Sequence, residues 1–109
     1  MIRHIVLLRF HSEVTGDQIA DLFAELHQIR GKVPGLLEIT SGRSESPEQM
    51  ERGYMHGFVV DFADWTALQA YQDHPEHQAL GARLTAASVG GKEGILCFDL
   101  PVMSAETGR

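Results

Sequence analysis

Residues 2–10 read IRHIVLLRF, an alternation that is apolar on both of its sides. Ile2, His4, Val6, Leu8 and Phe10 share one face of a strand, and Arg3, Ile5, Leu7 and Arg9 share the other. Leaving either apolar face in water costs about 25 cal/mol per Å² of apolar surface. A strand of this kind must therefore be covered above and below, so a one-sided sheet facing solvent is excluded unless something else packs on it.

The remaining elements follow from caps and periodicity. Thr15 with Gln18 forms the pattern of a capping box, and Ile19, Leu22, Phe23, Leu26 and Ile29 follow at helical spacing, with Val33 one turn later. Gly31 and Pro34-Gly35 end that helix. LLEITSG (36–42) reads as a second strand and RSESPEQMERG (43–53) as a loop. YMHGFVVDF (54–62) is a third strand, with Tyr54, His56, Phe58, Val60 and Phe62 on one face. Asp64 is placed to cap a helix over WTALQAYQDH (65–74). Pro75 breaks that helix and suits the first position of a new one over residues 75–86. A turn at SVGGK leads to a fourth strand, EGILCFDL (93–100). The stretch 1–100 is read as one domain and 101–109 as a loose tail.

The order β-α-β-β-α-β predicts an α+β, ferredoxin-like fold: a four-stranded antiparallel sheet with helices on one face. The expectation is that Val6, Leu8, Phe58 and Val60 lie on the face that the helices leave bare. A second copy packed sheet to sheet would cover them, giving a homodimer with an enclosed, apolar interior.

Net charge is −6, and the nine Lys and Arg residues are scattered, so no nucleic-acid surface is expected. The longest apolar run, Ile5–Leu8, is far short of the ~18 residues of a membrane span. With one cysteine, Cys97, and no cleavage-site pattern after the N-terminal strand, a cytoplasmic location is expected. Cys97 and Trp65 are read as core residues.

Six histidines in 109 residues call for a reading. His4 and His56 share parity with Val6, Leu8 and Phe58, and all five are expected to line the interior as substrate-binding residues. His77 sits just past the Pro75 break, with Tyr71 six residues earlier; His74 is read as holding the bend, and His11 and His27 as surface or structural. His74-x-x-His77 has zinc-like spacing only on an unbroken helix, and neither a cysteine nor a carboxylate completes a set, so no metal and no other cofactor is expected.

RHIVLLRF (3–10), VPGL (33–36), GYMHGFVVDF (53–62), AYQDHPEH (70–77) and FDL (98–100) resemble the Dabb family, the stress-response A/B barrel domains. The resemblance implies a dimeric α/β barrel. A plant branch of that family closes linear polyketides by aldol chemistry. By resemblance, His77 is the catalytic general base, Tyr71 the phenol that polarises a carbonyl, and His4 and His56 line the pocket. The function expected is a small-molecule-binding barrel, of cofactor-independent cyclase or lyase type, acting on a polyketide-like or aromatic carbonyl compound. The alternatives are a non-catalytic stress-response ligand-binding protein and a monooxygenase-like relative.

Overall fold

The computed structural model describes residues 1–103 and has the order read above: β1 (Ile2–Leu8), α1 (Gly16–Gln28), β2 (Leu36–Arg43), β3 (His56–Phe62), α2 (Trp65–Asp73), α3 (Pro75–Ala87) and β4 (Ile95–Pro101), with a 3₁₀ turn at Gly91–Gly94 before β4. The sheet order is β2-β3-β1-β4, and every pairing is antiparallel. This is the ferredoxin-like α+β arrangement. From residue 104 on, the expected tail lies outside the described residues; before it, the Val102 N–H donates to the Met1 carbonyl at 2.9 Å. Among the described residues no helix is long and apolar enough to cross a membrane.

Local chemistry explains the helix ends. The Thr15 side chain accepts from the Gln18 N–H at 3.1 Å while the Gln18 side chain accepts from the Thr15 N–H at 2.9 Å, closing the capping box. Asp64 caps α2 through the Ala67 N–H at 2.9 Å. Pro75 has no N–H to give to a continuing helix, so α2 stops and Pro75 becomes the first residue of α3. Gly35 sits at φ 85°, and a Cβ there would lie 2.7 Å from the Ala67 Cβ, so glycine lets the β2 entry pass close over α2.

The core lies between the sheet and the helices. Leu8, Val60 and Phe62 of the sheet, with Leu26, Ile29, Tyr71 and Leu80 of the helical side, are almost wholly buried. At about 1.5–3 kcal/mol per large apolar side chain, this layer dominates the favourable side of folding.

The two faces of the sheet are the reverse of the expectation. Val6, Leu8, Phe58 and Val60 are buried in the core that includes the helix residues, whereas the opposite face carries Ile5, Leu7, Val59, Leu96, Phe98 and Leu100. Leu96, Phe98 and Leu100 are 43%, 55% and 41% exposed. On that open face Arg3 pairs with its cross-strand neighbour Asp61, Nε to Oδ1 at 2.9 Å and Nη2 to Oδ2 at 3.3 Å. Parity groups the residues correctly, but with both groups apolar it does not say which group the helices choose. Two smaller expectations fail too. Trp65 is 54% exposed instead of filling the core, and Cys97 is exposed because β4 is an edge strand.

Candidate active site

A cavity of about 200 Å³ opens between the sheet and the helices of the same subunit. His77, Gly81, Leu84 and Thr85 of α3 line it at the i, i+4, i+7, i+8 spacing of one helix face. His4 and Val6 of β1, Phe58 of β3, Ile95 and Cys97 of β4, and Gln72 at the end of α2 complete the wall. The imidazoles therefore do not project into a space between two sheets, as expected from the sequence; the enclosing layers are one subunit's own.

The break at Pro75 puts His77 in place. His74 caps α3, its Nδ1 accepting from the Glu76 N–H at 3.1 Å, and its own N–H donates to the Tyr71 carbonyl at 3.1 Å. His77 then falls in the first turn, with its Nδ1 3.2 Å from the Gln72 carbonyl oxygen. A carbonyl only accepts, so Nδ1 carries the hydrogen and Nε2 keeps the lone pair. Burial pushes the His77 imidazole below the ordinary histidine value; the Gln72 bond opposes this in part, and His4 and His74 push it further down. At neutral pH it is an uncharged base.

Tyr71 packs against His77, ring centroids 4.3 Å apart, and meets His4 edge-on at 5.9 Å. Its side chain is wholly buried, and its hydroxyl has no hydrogen-bond partner. Burial first, and Cys97 second, raise its pKa well above the ordinary phenol value, so it stays a neutral donor. A buried hydroxyl left unpaired costs about 1–3 kcal/mol, which singles this group out in a chain that elsewhere bonds its buried side-chain polar atoms among the described residues.

His4 brings a residue that sequence reasoning missed. Its Nδ1 lies 2.5 Å from Asp99 Oδ1, and the two are cross-strand partners of β1 and β4. The ionised carboxylate accepts, so His4 too presents Nε2 as its free nitrogen. The signal was available: in ILCFDL, Asp99 alternates with Leu96, Phe98 and Leu100 and shares its face with Ile95 and Cys97.

Not every expected site residue is brought together. His4, Val6, Phe58 and His77 line the cavity, and Tyr71 packs directly behind it. Leu8 is instead sealed in the core. His56 pairs with Leu8 whereas His4 pairs with Val60, which sets the two backbone positions about 13 Å apart along the sheet. His56 stands between Phe10 and Phe23, at 5.4 and 6.5 Å, and burial with Arg43 lowers its pKa. His27 is engaged elsewhere, its Nε2 2.8 Å from Ser41 Oγ.

Fold and site together define an α+β protein with a histidine-lined pocket under its helices, backed by a buried tyrosine. The chain belongs to the stress responsive A/B barrel domain (Dabb) family, whose model matches residues 2–102. Olivetolic acid cyclase of Cannabis sativa is 26% identical over 80 residues, covering 73% of this chain and 79% of that one. A dimeric ferredoxin-like protein from Jannaschia sp. CCS1 superposes with a TM-score of 0.87 at 38% identity, over 93% of this chain and 98% of that one. Hydroxynitrile lyase from Passiflora edulis gives a TM-score of 0.82 at 20% identity, over 95% and 94%, a likeness of fold.

Proposed function

We propose that the protein is a homodimeric small-molecule-binding barrel whose cavity, one per subunit, carries out cofactor-independent acid–base chemistry of cyclase or lyase type on a small, largely apolar carbonyl compound. The observation that carries this reading is the buried, unpartnered Tyr71 hydroxyl packed beside a neutral His77. In the step proposed, His77 Nε2 takes a proton from the carbon next to the carbonyl. The C–H electron pair becomes the enolate, whose charge moves to oxygen, and the Tyr71 O–H donates to that oxygen. The enolate carbon then attacks a second carbonyl, closing a ring while that carbonyl's π pair moves to its oxygen, which takes the proton back from His77; or the enolate itself regains that proton. His4, held by Asp99 through Nδ1, lines the same cavity as a second imidazole. Olivetolic acid cyclase among the relatives supports a reaction of cyclase type.

The dimer is proposed to form through the open sheet face. Its exposed Leu96, Phe98 and Leu100 support this, as does the dimeric Jannaschia relative.

Exchange of the methyl protons of acetophenone in D₂O, followed by NMR, tests the chemistry without knowledge of the natural substrate. Wild-type protein accelerates exchange, and His77→Ala reduces the acceleration by about 10²- to 10⁴-fold while it remains a folded dimer. Undiminished exchange in that variant removes His77 from the mechanism. The name of the family favours one other reading, a stress-response protein that binds without turnover; binding with no exchange in the wild type would select it.

A further inference from the structure

We propose, building on the acid–base reading above, that the cavity selects uncharged carbonyl compounds of single-ring size and rejects the corresponding carboxylates. Size is the first ground. A cavity of about 150 Å³ holds benzene, so the 200 Å³ here fits a ring with a short substituent, about eight to ten non-hydrogen atoms in all. Gly81 sets part of that volume. A Cβ built on it meets nothing within 4 Å, so the missing side chain is open space and not a packing requirement.

Charge is the second ground. No lysine or arginine lines the cavity among the described residues. His4 lies against the Asp99 carboxylate, Nδ1 to Oδ1 at 2.5 Å, so the pair brings no net positive charge. His77 is held neutral by burial, and the Thr85 hydroxyl is committed to the Gly81 carbonyl at 2.8 Å. The uncharged donors here are the Gln72 side-chain amide in the wall and the unpartnered Tyr71 hydroxyl packed behind it. Those donors satisfy a carbonyl. A carboxylate would lose its hydration and find no net positive charge in the wall to replace it.

Cys97 is the chain's one cysteine and lines the cavity, so its alkylation by a maleimide, read by intact mass, reports occupancy. Acetophenone and benzoate have nearly the same shape and differ in charge at neutral pH. Acetophenone protects Cys97, and benzoate requires at least about tenfold more for the same protection. Gly81→Leu, with its fold checked by circular dichroism, removes protection by acetophenone. Gln72→Arg supplies the missing cation and lowers the benzoate concentration needed by about tenfold. Benzoate protecting at equal or lower concentration than acetophenone overturns the selectivity, as does protection by neither. Protection by acetophenone without proton exchange would instead retire the chemistry and leave the selectivity standing.

Discussion

Tyr71 shows how a single side chain can serve the fold badly and the chemistry well. Its hydroxyl is buried without a partner, so Tyr71→Phe removes an unsatisfied donor; stability in urea should hold or rise by about 1 kcal/mol. The same change should slow acetophenone proton exchange by about 10²- to 10³-fold, because an oxyanion donor is lost. A purely structural tyrosine predicts no such opposition of signs. His77 makes a prediction about pH. Its folded pKa lies below the ordinary value of 6.5, chiefly through burial. The unfolded chain therefore binds a proton at a higher pH than the folded one. The stability gained by burying the neutral ring is complete above about 6.5 and is lost as pH falls towards the folded pKa. His56 is lowered in the same direction, so His77→Gln should reduce the slope of stability against pH in that window and leave the His56 part; chemical denaturation at several pH values measures both. Tyr71 and His77 were legible in AYQDHPEH. For Asp99 the sequence showed only its face, by alternation in ILCFDL; its pairing with His4 depends on the register of β1 and β4.

At the level of elements, the two histidines of DHPEH divide their work by position relative to Pro75. His74 precedes it and caps α3 through Nδ1; His77 follows it and faces the cavity. His74→Ala should therefore cost about 1 kcal/mol of stability with proton exchange reduced only modestly, and His74→Ser should restore the stability by supplying an oxygen acceptor. His77→Ala should do the reverse. Urea denaturation alongside the exchange assay separates them. Gly35→Ala should destabilise by about 1–3 kcal/mol, since φ is 85° and the added methyl meets Ala67. Caps and breakers of this kind are local, which is why Thr15, Asp64 and Pro75 could be read in advance. The exposure of Cys97 could not, because it follows from β4 standing at the sheet edge, a fact of topology.

For the molecule as a whole, the decisive fact is which sheet face the helices cover. Alternation in IRHIVLLRF shows two apolar faces, and the helices could in principle take either. The helices take the face of His4, Val6 and Leu8, and Leu96, Phe98 and Leu100 are left on the other. Cavity and proposed dimer surface are consequently on opposite sides of one sheet. Phe98→Glu should yield a chain that sediments as a monomer at micromolar concentration yet still binds acetophenone. Loss of binding together with the dimer would show that the partner completes the site. The pH dependence of acetophenone proton exchange, compared between wild type and His77→Ala, bears most directly on a neutral His77 acting as base within a single subunit. The wild-type rate should rise with pH through a midpoint below the ordinary histidine value of 6.5, and the variant should show no such step. A midpoint at or above that value, or the same step in both proteins, would contradict it.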